Sequence, residues 1–337
     1  MKQLQILRAI QKANRTYLAL GTFAVLILLF YGNTLSNGFV LDDVPVVENN
    51  PYLRSFEYFP KVFTGCLWEY SNQGCEGRTF YYRPIHSLSA FFTWQISSQP
   101  WFFHAVNLGY FFLVGALLFL FAKLVLKNSL SAFFAALIFL IHPFNTEVVN
   151  WVSAVPELTM TIFVLLAGIL YVRYRTAGLV RDLVFVGILY FFAMLAKEPG
   201  ILLPLMLFAL DICIFRLPFR RLLSRQELSR YLSLGIPVAV YLAMRLVVLG
   251  SLVGGGFLKF TFTERIYAFF ELFAQYAHKM VYPVYLSAFY RFQTKSDFFS
   301  VEFLSFFFVT LLFGFLLVVA FAKKQYVVAF GLFWFFL

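Results

Sequence analysis

Two adjacent acids, Asp42 and Asp43, stand in NGFVLDDVPVVENNP, a few residues after a long apolar run. Adjacent acids are most often the solvated start of a loop. Here their neighbours Phe39, Val40, Leu41 and Val44 are apolar. Such surroundings disfavour the carboxylate anion and move its pKa up toward the range of a general base. Adjacent acids can also divide labour, one taking a proton while the other orients a partner.

Three more stretches carry groups that could meet charge. FYYRPIHSLS places Arg83 and His86 among aromatics; the guanidinium could hold a phosphate through two parallel hydrogen bonds, or serve as an interfacial anchor. IHPFNTEVVNWVSAVPEL gathers His142, Asn145, Glu147, Asn150 and Glu157 without any Lys or Arg. His142 and Glu147 lack the H-E-x-x-H spacing of a helical zinc site, so a polar interfacial helix is the plain reading there. AKEPG sets Lys197 and Glu198 at the end of another apolar run. A lysine at a membrane edge is costly unless it is paired, snorkels or binds an anionic group. Arg245, near the end of a later run, and His278, Lys279 and Arg291 beyond it are similar in kind. The acid pair could hold a divalent ion through oxygen ligands, but two neighbours alone do not make a metal site. Neither a Walker loop nor a dinucleotide fingerprint is present, and Gly254–Gly256 signals only a flexible loop.

The elements that must position these groups follow from composition. The 337 residues are 61% hydrophobic and 13% charged, against roughly 45–50% and 25% in soluble domains. Mean hydropathy is +0.80. This excludes soluble globular, disordered, collagen-like and disulfide-dense chains and leaves a polytopic membrane protein. The net charge of +11 then predicts Lys- and Arg-rich cytoplasmic loops rather than nucleic-acid binding. Spans are predicted at 17–36, 103–122, 129–141, 158–172, 183–196, 200–215, 231–249 and 301–322. A last run, 326–337, is too short to span, which predicts an incomplete ninth helix in a single transmembrane domain and a protein that continues beyond it. The first run lacks a small-residue cleavage site and reads as a retained anchor.

Charge placement orients the chain. Lys2, Arg8, Lys12 and Arg15 precede the first span, and alternation from there puts 16 of the 27 basic residues on the same side. Thirteen of the 16 acids fall on the other. The N-terminus is therefore predicted to be cytoplasmic. Residues 37–102 and 250–300 become large extracytoplasmic loops. Within them 86–98 has apolar residues at helical spacing (Leu88, Phe91, Phe92, Ile96) and is predicted to lie in the interface, as is 264–286. Cys66 and Cys75, nine residues apart in the first loop, would form a disulfide clip in an oxidising compartment, or remain two thiols. Cys213 lies in a span and packs. An outer cleft lined with acids, bases and aromatics suits an enzyme that takes an activated group from a lipid.

Four stretches, in this order, resemble one family: DD after the first span with NNP nearby; YYRPIHSLSAFFTWQI followed by FHAVNLGYFFLVGALLF; IHPFNTEVVNWVSAVPEL; and LAKEPG with Asp211. The chain from about residue 30 to 290 is similar to the membrane O-mannosyltransferases with tetratricopeptide repeats and their bacterial relatives, GT-C class glycosyltransferases akin to protein O-mannosyltransferases. The resemblance implies an all-α polytopic fold with interfacial helices on large outer loops. It implies a periplasmic or lumenal active site, with a bacterial inner membrane favoured over the endoplasmic reticulum. The implied donor is a polyprenyl-phosphate sugar, usually mannose, and the implied reaction is inverting transfer to a hydroxyl on an acceptor protein or glycan. Carried onto this sequence, Asp42 or Asp43 is the catalytic carboxylate, and Arg83, Lys197 and Arg245 meet the donor phosphate. His86, His104, His142, Glu147, Glu157, Glu198 and Arg291 line the donor or acceptor pocket. No cofactor is implied beyond the metal question left open above, and the partners are membrane lipids, donor and acceptor, with no nucleic acid. Relatives often carry a second His where this chain has Asn145 and a base where it has Ala154 and Val155, and the repeats are missing. Two other readings stand beside this one. A lipid or solute transporter would show polar residues deep in spans or helices broken at mid-membrane, for which Asp211 and Arg245 are the few candidates. A lipid-linked oligosaccharide ligase would differ only in pocket size.

Overall fold

The computed structural model describes residues 2–70, 75, 81–252, 261–287 and 297–337, with side chains from residue 14 onward. Every element among the described residues is helical, so the chain is an all-α polytopic membrane protein. It divides into two compact units, the first formed by residues 1–72 and 83–200, the second by 73–82 and 201–337.

The first unit holds α1 (Lys2–Tyr31), α2 (Lys61–Thr64), α3 (Pro84–Ile96), α4 (Pro100–Leu126), α5 (Ser129–Ile141), α6 (Thr146–Asn150), α7 (Val155–Ala177) and α8 (Val180–Ala196). Their ends are written in the sequence. Proline opens α3 and α4, where its missing N–H has no helical partner to lose. The Asn128 side chain accepts from the N–H groups of Leu130 and Ser131 at the start of α5 (2.9 and 3.1 Å), an N-cap. Gly178, at φ 71°, ends α7 and lets α8 return against it, with Phe163 and Phe192 stacked 5.6 Å apart. At Gly115 a Cβ would lie 2.7 Å from a Leu140 methyl, which is why α4 and α5 can pack closely.

Among the described residues five helical segments are long and apolar enough to cross a membrane: Asn14–Ser36, Pro100–Leu126, Val152–Ala177, Arg225–Leu249 and Val301–Ala322. A sixth is counted if Ser129–Ile141 and Pro143–Asn150, bent by 53°, act as one. The bend falls at His142–Pro143, where proline cannot continue the helical ladder. Two predicted spans lie outside this set. Run 183–196 sits in α8, which is only 17 residues long. Run 200–215 is divided into a 3-10 turn (Glu198–Leu202), α9 (Leu203–Ala209) and a π turn (Leu210–Ile214). Hydropathy alone does not register such breaks, because the side chains remain apolar through them.

The first large loop is a chain of short turns wrapped over α3 and α4. Val46, Val47, Leu53, Val62, Phe91, Phe103 and Val152 form its buried core. Phe91 is fully buried, with Phe56, Phe59 and Phe92 rings 5.1–5.7 Å away; burial of one such ring contributes about 2–3 kcal/mol. This core fixes residues 37–70 over the end of the helices.

In the second unit, α10 (Phe219–Leu222), α11 (Arg225–Ser233) and α12 (Gly235–Leu249) follow α9, and then come α13 (Phe262–Val281), α14 (Val301–Ala322) and α15 (Tyr326–Phe336). Thr261 and Glu264 form a reciprocal capping box at the start of α13. That helix packs on α14 through Tyr267 and Phe303, 5.1 Å apart. Its other face leaves Phe262, Phe269, Leu272, Tyr276 and Met280 exposed, the pattern of a helix lying along an interface. At its far end the Lys279 ammonium donates to the carbonyls of Val284 and Tyr285 (2.7 and 3.1 Å).

Candidate functional site

The acid pair is split by its backbone. Leu41 has φ 52°, a left-handed conformation that a branched side chain adopts at a cost of roughly 1–2 kcal/mol. Beyond this turn Asp43 is fully buried while Asp42 stays exposed. One Asp43 oxygen accepts from the Ser153 N–H and hydroxyl at 2.7 and 2.6 Å; the other accepts from the Val40 N–H at 3.2 Å. The Asp42 carboxylate accepts no hydrogen bond among the described residues. Burial raises the pKa of both acids. For Asp43 the bonds to Ser153 and Val40 and the nearby His104 pull the other way without cancelling it. Tyr70 stands close to Asp42: burial first, and that negative charge second, push its phenol upward, and its hydroxyl donates to the Pro45 carbonyl.

A second array lies beside the first. Ser153 sits in the 3-10 turn Val152–Ala154, four residues before Glu157 in the first turn of α7. Glu157 accepts from the Lys197 ammonium at 2.6 Å. The next residue, Glu198, accepts from Arg83 at 2.7 and 3.1 Å, a forked pairing. These four side chains are 14–35% exposed, so the pairs open to solvent. Two of the three cations that the sequence assigned to a phosphate, Arg83 and Lys197, therefore already hold a carboxylate. Glu147, exposed on α6, lies close enough to Glu157 and Lys197 to feel both charges. The array is set by Gly200: a Cβ there would stand 2.7 Å from the Ala193 carbonyl carbon and oxygen, so only glycine lets the turn fold back on α8 and carry Lys197 and Glu198 with it.

The histidines play other parts. His86 is buried, and that burial, reinforced by the Arg83 charge, lowers its pKa to about 3. Its Nδ1 and the Asn107 Oδ1 have no partner among the described residues, and both residues line a cavity of about 10 Å³, room for about one water. It stays neutral and does not reach an open pocket. His104 is also fully buried, its Nδ1 3.0 Å from the Thr34 hydroxyl. His142 caps the bend after α5: its Nδ1 accepts from the Phe144 N–H at 3.2 Å, and its carbonyl accepts from Tyr31 at 3.3 Å. Ala154 and Val155 are buried, which leaves no room for a base at that point.

An apolar groove of about 410 Å³ runs between α3, α4 and α7, walled by Leu88, Phe92, Tyr110, Leu113, Ile162 and Phe163. Its lining begins two residues from Arg83, at Ile85, and two residues from Glu157, at Thr159. Arg245 belongs to the second unit, where it donates to the Tyr241 hydroxyl at 3.4 Å. So does Asp211, which is buried and accepts from the Tyr231 hydroxyl at 2.7 Å, a partnered group rather than an open transport site. Arg291 lies outside the described residues. Cys66 and Cys75 are disulfide-bonded and Cys213 is free and buried. Among the described residues no three His, Cys, Asp or Glu side chains are grouped so as to hold a metal ion. Ser153, Tyr70 and Gly200 are not singled out by the sequence, and Leu41 enters there only as an apolar neighbour of the acids. Only Gly200 carried a readable signal, the E-P-G turn.

No protein-family model matches the chain, and no solved structure matches it. Among curated proteins it is similar to protein O-mannosyl-transferase TMTC1 of Homo sapiens, 33% identical over 191 residues, which is 51% of this chain and 21% of that protein. Protein O-mannosyl-transferase TMTC2 of Homo sapiens is 28% identical over 223 residues, 62% of this chain and 26% of that protein. Protein O-mannosyl-transferase F38B6.6 of Caenorhabditis elegans is 29% identical over 189 residues, 55% of this chain and 26% of that protein. The chain thus resembles protein O-mannosyltransferases over half its length or more and spans about a fifth to a quarter of theirs.

Proposed function

We propose that the chain is an inverting glycosyltransferase that moves a sugar, mannose by analogy with these relatives, from a polyprenyl-phosphate donor to an acceptor hydroxyl at the extracytoplasmic membrane face. The observation that carries the reading is the division of the acid pair: Asp42 exposed and unbonded, Asp43 buried and tied to Ser153. Asp42 is the general base. The acceptor oxygen attacks the anomeric carbon while its proton passes to Asp42, and the bond from that carbon to the phosphate oxygen breaks. Its electron pair stays on the phosphate. Asp43 touches no reactant; it fixes the loop that presents Asp42.

The donor is a phosphodiester with one negative charge, and the departing lipid phosphate gains a second. Arg83 and Lys197, each held in place by a carboxylate, attract that doubly charged leaving group more strongly than the singly charged donor. That difference is what accelerates a reaction. Glu147 and Glu157 accept hydroxyl hydrogens from the sugar, and the groove between α3, α4 and α7 takes the first isoprene units. Protein Ser or Thr is the acceptor class that the relatives' names favour.

The test is transfer of labelled mannose from polyprenyl-phosphate mannose by purified full-length protein in lipid. Turnover or donor hydrolysis that is lost in Asp42→Asn supports the reading. Absence of turnover with this donor and with a panel of other lipid-linked sugars refutes it and moves the case to a transporter.

A further inference from the structure

A second cavity lies far from the acids. It occupies about 560 Å³ between α1, α4 and α5, within the range of roughly 300–1,000 Å³ typical of ligand pockets. Leu18, Phe119, Leu130 and Phe133 form its walls; Arg15 and Lys123 stand at its rim. No acid is among its lining residues. The Lys123 ammonium has a long contact of 3.4 Å to the Thr16 hydroxyl and lies 5.5 Å from the centre of the Phe119 ring. Neither cation has a carboxylate partner among the described residues. They differ in this from Arg83 and Lys197, which are both paired.

Depth gives the cavity its meaning. Residues 16–36 run helically along the first span, and about 20 residues at 1.5 Å each cover roughly 30 Å, the thickness of the bilayer core. Arg15 is at one end of this span and Asp42 follows the other. Lys123 and His104 mark the same two ends of α4, since His104 lies near Asp43. Two unneutralised cations thus stand at headgroup depth, directly over an apolar slot. The N–H groups at the start of α5 are already taken by Asn128, so an anion arriving here would be held by Arg15 and Lys123 themselves.

We propose that this cavity is a site for one anionic phospholipid, its headgroup phosphate on Arg15 and Lys123 and an acyl chain lodged between α1, α4 and α5, on the membrane face opposite Asp42. A zwitterionic lipid presents a compensating positive charge to the same rim and binds less well. The inference does not depend on the reaction proposed above.

The experiment is native mass spectrometry of the full-length protein titrated with dioleoyl-phosphatidylglycerol, dioleoyl-phosphatidylcholine or undecaprenyl phosphate. One phosphatidylglycerol per chain should be retained in preference to phosphatidylcholine. At about fivefold per cation near a membrane surface, Arg15→Gln with Lys123→Gln should lower that preference roughly 25-fold. Thr22 also lines the slot; Thr22→Trp, which fills it without changing charge, should reduce retention of phosphatidylglycerol while circular dichroism stays native. Equal retention of phosphatidylcholine, an unchanged preference in the doubly substituted variant, or unchanged retention in Thr22→Trp overturns the proposal. Undecaprenyl phosphate displacing phosphatidylglycerol at equal concentration overturns it too, by giving the slot to a polyprenyl chain.

Discussion

Replacing each acid of the pair separately should produce opposite defects. Asp42 is exposed and its carboxylate accepts no hydrogen bond among the described residues, so Asp42→Asn should leave stability within about 0.5 kcal/mol of the parent. If Asp42 is the general base, its loss removes the proton acceptor, a contribution of roughly 10²–10⁴ in rate. Asp43 is the reverse. Asp43→Ala strips the acceptor from the Ser153 N–H, the Ser153 hydroxyl and the Val40 N–H. The hydroxyl can turn elsewhere and the N–H of the exposed Val40 can meet water, but the Ser153 N–H is left in a half-buried turn, and an orphaned donor there costs about 1–3 kcal/mol. Relief of the buried charge, whose pKa is already raised by burial, offsets part of this and leaves a net loss of about 1–2 kcal/mol. Asp43→Asn keeps both bonds to Ser153 and turns an amide N–H toward that of Val40, for about 1 kcal/mol. The assay is mannosyl transfer alongside thermal unfolding in one detergent or nanodisc. Full turnover in Asp42→Asn, or an Asp43→Asn variant that is inactive yet melts like the parent, would show that the roles are exchanged and the argument from burial is wrong.

Other outcomes follow from the same geometry. Because burial raises the Asp42 pKa, the acid limb of kcat/KM should lie above the ordinary carboxylate range and vanish in Asp42→Asn; a pH profile checks this. His86 is held neutral, with its pKa lowered from 6.5 to about 3. The unfolded state therefore takes up the proton first, and the stability present above pH 6.5 is lost as pH falls toward 3, by up to about 1.4 kcal/mol per pH unit. His86→Leu should flatten that decline in acid unfolding curves. Gly200→Ala forces a methyl against the Ala193 carbonyl; overpacking of this kind costs roughly 1–3 kcal/mol, and transfer should fall because Lys197 and Glu198 move with the turn. Lys197→Gln should lower kcat about 100-fold, and single-turnover kinetics would show donor binding less affected than chemistry.

Much of the helical scaffold was legible because its signals are local. Apolar runs, the prolines opening α3 and α4, and Gly178 closing α7 each act within a turn or two of sequence. The broken stretch after Lys197 was not legible, since 3-10, α and π turns draw on the same apolar residues. At the site, residue type identified which side chains could carry charge but not what each would meet. Arg83 and Lys197 looked like free cations because the carboxylates that hold them lie far off in the chain, Glu198 at 115 residues from Arg83 and Glu157 at 40 residues from Lys197. The division of Asp42 from Asp43 was hidden for a related reason. It depends on the left-handed Leu41 and on Ser153, 110 residues further on, and no spacing rule links them.

That pairing changes what the site can do, and not only how it is drawn. Two free cations would hold the intact phosphodiester tightly and its leaving dianion about twice as tightly, and the tight hold on the donor by itself does not speed the reaction. Cations paired with carboxylates offer the intact donor less net attraction. Glu157→Gln should therefore tighten binding of the intact donor by freeing Lys197, while loss of the carboxylate that positions that ammonium and meets the sugar lowers kcat, a split that simple loss of a binding residue does not produce. The measurement is a donor titration under single-turnover conditions, with Kd and the chemical rate read separately. A variant that weakens donor binding, or that leaves both quantities unchanged, would mean that the Lys197–Glu157 pair is a structural strut and that the leaving phosphate is met elsewhere.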